Sequence, residues 1–156
     1  MNFFVMESMM DKDCSWRVDE WKGCYPSSWK GTIIPEAISH PAKFSSRLIR
    51  RIYEHMQGEG WVKAGDTVLD PFGGVALGAL DAMRLGLRWR GIELEQKFHD
   101  LGNGNIFHWN VRFERMPHWS GDAVLLKGDS RKLLEVLGEE ASKEALEELR
   151  HQMGLD

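Results

Sequence analysis

Adjacent prolines, cysteine clusters, long apolar runs and an excess of positive charge are all missing from this 156-residue sequence. The two cysteines, Cys14 and Cys24, cannot make a disulfide framework, and a zinc site would have to recruit histidines from elsewhere. No metal is therefore expected, and such sparse cysteine usage fits free thiols in a reducing cytoplasm. No apolar run approaches the roughly 20 residues that span a bilayer, so no membrane association is expected. The start, MNFFVMESMMDKD, lacks a basic n-region and reaches acidic residues too early for a secretory signal. The formal net charge is −4, whereas chains that grip nucleic acid unaided carry a basic surface, because phosphate neutralisation supplies much of their affinity. If this chain acts on DNA, most phosphate contacts belong to another polypeptide. Repeats and low-complexity segments are absent as well.

What is present is a hydrophobic fraction of 42%, enough for the core of one domain. Residues 1–39 read as an aromatic-rich arm, with Trp16, Trp21, Tyr25 and Trp29 set among Gly23, Pro26, Gly31 and Pro35. Such an arm serves either as a collar around the core or as a contact surface for a partner or DNA. Residues 40–156 read as the structured part. A helix is expected from His40-Pro41, with proline at its first position and Ser39 as cap. Leu48, Ile49, Ile52, Tyr53 and Met56 recur along it at helical spacing. Thr67-Val68-Leu69 is a short apolar strand ending at Asp70. A helix over Val75–Leu85 follows, then a strand Arg88–Ile92 ending in Glu93. A helix weakened by Gly102 and Gly104 is expected from Gln96 to about Trp109. Ala123–Leu126 is a third strand, leading to Gly128-Asp129-Ser130, and the C-terminus is helical, with Ala141, Ala145, Leu149 and Met153 spaced by four. This alternation calls for an α/β fold with a parallel sheet, three strands of a doubly wound arrangement.

Ligands of such sheets bind beyond the carboxyl ends of the strands. Here all three ends carry suitable residues. Asp70-Pro71-Phe72-Gly73-Gly74 leads into a helix, and its glycines let the backbone approach a ligand and expose amide donors. Glu93 is the kind of acceptor that takes the two hydroxyls of a ribose, and Asp129 can accept from an exocyclic amine such as that of adenine. Singly each is weak; in register they indicate a nucleoside site. Gly73, Gly74 and Gly78 do not fit G-x-G-x-x-G, and an aspartate at the start of the loop repels a pyrophosphate. It suits a ligand with a cationic amino-acid end, which points to S-adenosylmethionine.

The segments VLDPFGG, GIELE and KGDS, with HPAKFS (residues 40–45) before them, resemble the N4-cytosine/N6-adenine DNA amino-methyltransferases, over about residues 33–137. The resemblance implies a partial Rossmann-like S-adenosylmethionine-dependent methyltransferase fold, completed by a partner chain. It implies that Lys43, Phe44 and Ser45 border the methionine end of the cofactor. Asp70 with the Phe72, Gly73 and Gly74 backbone would hold the amino-acid portion, Glu93 the ribose, and Asp129 with Ser130 the adenine. Glu95 reads as a surface residue rather than a second ribose ligand.

The family's catalytic motif, D/N/S-P-P-Y/F/W, holds an extruded base and accepts from its amino group. It has no counterpart here, since Pro26, Pro35, Pro41, Pro71 and Pro117 are all isolated. No catalytic residue is therefore assigned to this chain. The expected arrangement is a split enzyme. This chain binds the cofactor, and a second subunit supplies the catalytic motif, the remaining strands and the target recognition domain. Double-stranded DNA is met through the complex. The first strand would otherwise leave a bare apolar edge. Two other readings stand beside it: a truncated or regulatory module without activity, and a small-molecule or RNA methyltransferase. Whether adenine N6 or cytosine N4 is the target depends on the missing motif.

Overall fold

A computed structural model describes residues 21–25, 28–116 and 119–139. Trp16 and the apolar repeat Ala141–Met153 lie outside the described residues. The elements are α1 (Ser46–Gly58), β1 (Thr67–Asp70), α2 (Leu77–Arg84), β2 (Arg88–Glu93), α3 (Gln96–Phe113) and β3 (Asp122–Lys127), with short 3-10 turns at Pro35–Ser39 and Ser130–Lys132. Residues 133–139 are helical. The strands form one parallel sheet in the order β1-β2-β3, with Val68 level with Trp89 and Ala123, and Asp70 level with Gly91 and Leu125. This is the partial Rossmann-like α/β fold.

Period-two alternation divides the sheet. Val68, Trp89, Gly91, Ala123 and Leu125 share the face covered by α2 and α3. The Trp89 indole lies flat along its own strand, so a methyl at Gly91 would sit 2.0 Å from the ring. Gly102 of α3 meets Leu125 across the same layer, where an added methyl would lie 2.3 Å from Leu125 Cδ2. Trp89, Trp109, Met83 and Leu87 are fully buried and fill the space between helices and sheet. The glycines expected to weaken α3 do not shorten it. The helix runs on to Phe113, because close packing on the sheet outweighs the roughly 1 kcal/mol per glycine of lost propensity.

The helix expected at His40-Pro41 begins later, at Ser46. Ser39 Oγ donates to Glu36 O at 2.9 Å and so closes the preceding 3-10 turn instead of capping α1. Lys43 Nζ donates to the carbonyls of Ile38 and His40, and Trp29 Nε1 donates to Phe44 O at 2.7 Å. These bonds hold residues 40–44 outside any helix. The described part of the arm packs inward: Trp29, Ile33 and Ala37 are buried in the main core. Asn105 Oδ1 accepts from Ile34 N at 2.9 Å, and Trp109 Nε1 donates to Thr32 O at 2.6 Å. Tyr25 is exposed.

The opposite face of the sheet carries Thr67, Leu69, Arg88, Arg90, Ile92, Asp122, Val124 and Leu126. Its amino-ward half is polar, with Arg90 and Asp122 paired at 2.7 Å across β2 and β3. Leu69 on β1 is 42% exposed. Among the described residues β1 has one neighbouring strand, so its outer edge is unpaired. No helix among them is long and apolar enough to cross a membrane.

Candidate cofactor site at the carboxyl ends of the strands

The turn after β1 is built by Asp70. Its Oδ1 accepts from Phe72 N at 3.0 Å. Its Oδ2 faces α2 at Gly78, where an added methyl would sit 3.3 Å from it, 3.1 Å from Trp89 Nε1 and 3.5 Å from the Tyr53 hydroxyl. Burial raises the pKa of the Asp70 carboxyl above the ordinary aspartate value, offset in part by the Phe72 amide. Burial, with the charges of Asp70 and Asp81, raises that of the Tyr53 phenol. Asp70 is thus a half-buried, loop-holding group, and it lines none of the cavities around this site.

Gly73 N donates to Ile92 O at 2.8 Å, which stitches the loop to β2. A side chain at Gly73 would meet Leu125 Cδ1 at 2.5 Å and the Ile92 backbone at 3.3 Å, so this close approach requires glycine. Gly74 has φ +53 and donates its amide to Glu93 Oε2 at 2.9 Å, while Glu93 Oε1 accepts from Glu95 N at 2.7 Å. Glu93 therefore spans the ends of β1 and β2 and fixes both loops.

Two cavities adjoin there, and Phe72 and Glu93 line both. One, of about 350 Å³, is bounded by His40, Phe44, Gly73, Gly74, Glu95 and Phe98 among others. The other, of about 290 Å³, has Ile92, Leu94, Asp129, Ser130 and Arg131 on its walls. Asp129 accepts from Arg131 through both carboxylate oxygens, from Nε at 3.0 Å on Oδ1 and from a terminal nitrogen at 2.6 Å on Oδ2. This bonding holds its pKa well below the usual carboxylate range, at about 2.

Of the residues singled out in the sequence, the structure brings Phe44, Phe72, Gly73, Gly74, Glu93, Asp129 and Ser130 to these two adjoining cavities. Lys43 and Ser45 lie apart from them. Both line a third, more open cavity of about 850 Å³ with Tyr25 and Trp29, and Phe44 connects it to the first. Lys43 spends its donors on carbonyls, and Ser45 Oγ donates to Cys24 O. Glu95 is exposed at the rim of the first cavity.

One residue of this site was not anticipated. His40 is buried, packs edge-on against Phe98 with ring centroids 4.4 Å apart, and borders the Gly74 backbone. Burial, followed by the Lys43 charge, lowers its pKa, so the ring is neutral near pH 7. The signal was in plain view, because His40 opens the HPAKFS segment. Cys24 is a buried free thiol, and the described residues contain no cluster of metal-ligating side chains.

The geometry provides a glycine turn whose own amides are tied to Asp70, Ile92 and Glu93, a carboxylate between two adjoining hollows and a second carboxylate at the far end. A family model of the N6/N4 methyltransferases, described as DNA methylase, matches residues 7–104, more than half of the chain. The matched stretch includes β1, the glycine loop and Glu93, and ends within α3, before Asp129. No curated protein matches the chain.

Proposed function

The chain belongs to the N6/N4 DNA methylase family, and from that premise we propose that it is the S-adenosylmethionine-binding subunit of a split, site-specific DNA amino-methyltransferase. Family membership implies amino-methylation of DNA with S-adenosylmethionine as methyl donor. The residues present fit that molecule. The two adjoining hollows suit an elongated ligand, and the carboxylates outnumber the cations along them, as a ligand with a sulfonium and an ammonium requires. Gly73 leaves room for the backbone to come close.

The Gly73-Gly74 turn, positioned by Asp70, would hold the amino-acid portion, with Phe44 and His40 closing that end. Glu93 would take the ribose hydroxyls through the acceptor sites left beside its two amide bonds. Asp129 and Ser130 would face the adenine. When bound, the cofactor supplies an electrophilic methyl group for an amine nucleophile. This chain's contribution is to fix the position of that methyl, and catalysis would come from alignment with a base held by the partner.

The observation that carries the partner is the outer edge of β1, unpaired among the described residues, beside the exposed Leu69. Parallel strands are normally buried on both faces, and an open edge invites pairing. No D/N/S-P-P-aromatic motif occurs in this sequence, so the covering polypeptide would also bring the residue that accepts from the target amine. The acidic balance of this chain leaves DNA contact largely to that polypeptide.

Calorimetric titration of S-adenosylmethionine into the purified chain, alone and with the partner, tests this reading. Binding that appears or tightens with the partner, together with methyl transfer to duplex DNA, is expected. No binding under either condition would overturn it, and transfer by the chain alone would overturn the split.

A further inference from the structure

Arg131 sits at the mouth of the smaller hollow and is the cation among its described lining residues. A carboxylate offers about four acceptor sites, and Arg131 turns three N–H groups on Asp129, the single Nε–H being shared between both oxygens. Its backbone N–H and Nε donate to Oδ1, both at 3.0 Å, while Nε and a terminal nitrogen donate to Oδ2 at 3.0 and 2.6 Å. An adenine amine would therefore compete with the guanidinium for Asp129, whose acceptor sites Arg131 already crowds. Release costs little: the Arg131 side chain is 85% exposed, and exposed ion pairs are weak. The hollow has the buried Ile92 in its wall, with the exposed Phe72 and Leu94 also lining it. These apolar groups suit a flat aromatic ring, and a planar guanidinium one short swing away can cover that ring's open face.

We propose that Arg131 is the closing element of the adenine subsite. It engages the Asp129 carboxylate before the ligand arrives, then moves onto the face of the base while Asp129 accepts from the amine. This rests on the cofactor reading above, and it makes Arg131 a specificity-determining contact for a flat purine. A pure latch, which only blocks the site, would have the opposite effect on affinity. A residue that merely orients Asp129 would matter only for ligands that carry the amine.

The test is titration of S-adenosylhomocysteine and S-inosylhomocysteine, which lacks the amine, into the full chain in the assembly state in which the wild type binds. Arg131→Ala is expected to weaken both ligands about three- to tenfold. Arg131→Lys should not restore the loss, because an ammonium cannot stack as a plane. Asp129→Ala is expected to weaken the adenosyl ligand more than the inosyl one. Unchanged or tighter binding by Arg131→Ala, or weakening of the adenosyl ligand alone, would overturn the proposal. Failure of the wild type to bind either compound is a different result, which removes the cofactor reading and this inference with it.

Discussion

Glu93 accepts two backbone amides, and that fixes what its loss should do. Glu93→Ala strands the Gly74 and Glu95 amides in a partly solvated site, at a cost of about 1–2 kcal/mol. If Glu93 is the ribose acceptor proposed above, cofactor affinity in the assembled enzyme should also fall about tenfold or more. Asp70→Ala should weaken binding through a different route, by freeing the Phe72 amide and with it the glycine turn. Thermal unfolding and calorimetry on both variants would check this, and near-wild-type affinity in both would remove the residue assignment. The identity of Glu93 was legible in the sequence, because it ends a strand level with the glycine loop. Its grip on that loop was not, since a bond between residues 74 and 93 depends on strand register. The bonds of Lys43 to Ile38 O and His40 O, and of Ser45 to Cys24 O, were not legible either, since they depend on how the backbone folds back on itself.

His40 allows a pH test at the same scale. Burial places its folded-state pKa below the unfolded value of about 6.5. As pH falls through that value the unfolded chain takes up the proton first, so stability drops with decreasing pH in this window. Lys43 adds to this, while Glu93, Glu95 and the Ala42 carbonyl oppose it. Denaturation midpoints measured from about pH 7 down to pH 5 should decline in the wild type and decline less in His40→Gln. Parallel curves for the two proteins would show that His40 does not titrate in this way.

Among the elements, α3 separates two kinds of glycine that sequence alone treats alike. A methyl at Gly102 would press 2.3 Å from Leu125 Cδ2 and 3.2 Å from the Gly74 carbonyl oxygen, directly behind the cofactor loop. At Gly104 it would meet only Ile34 Cδ1, at 2.8 Å, the end of a side chain that can turn away. Gly102→Ala should therefore be destabilising by about 1–3 kcal/mol despite its better helix propensity. Gly104→Ala should recover much of the roughly 1 kcal/mol of propensity. Chemical denaturation of the pair would decide, and a similar change in both would mean that propensity alone governs α3. Helix and strand identities were readable because their apolar periods are clean. The start of α1 was not, because Ser39, Lys43 and Trp29 use their side chains to hold the preceding segment out of the helix.

For the whole molecule, the two faces of the sheet differ among the described residues: one is packed under helices, while on the other Ile92 and Leu126 are buried and Leu69 stays exposed. The covered face is sealed by α2, α3 and the inward-packed Trp29, Ile33 and Ala37. On the other, the row Leu69, Arg90 and Val124 crosses all three strands in register, and among the described residues β1 keeps an unpaired edge. If that surface exists to receive the catalytic subunit, a charge placed there should harm assembly and little else. Leu69→Lys removes apolar area that is already 42% exposed, so the isolated chain should keep its melting temperature within about 0.5 kcal/mol equivalent. In the complex the same ammonium would be buried without a partner, which is costly enough to weaken association by two orders of magnitude or more. Analytical ultracentrifugation of the mixed subunits, with methyl transfer as a second readout, distinguishes the cases. Normal assembly by a stably folded Leu69→Lys chain would place the partner elsewhere, and the edge of β1 would then have to be covered by some other means.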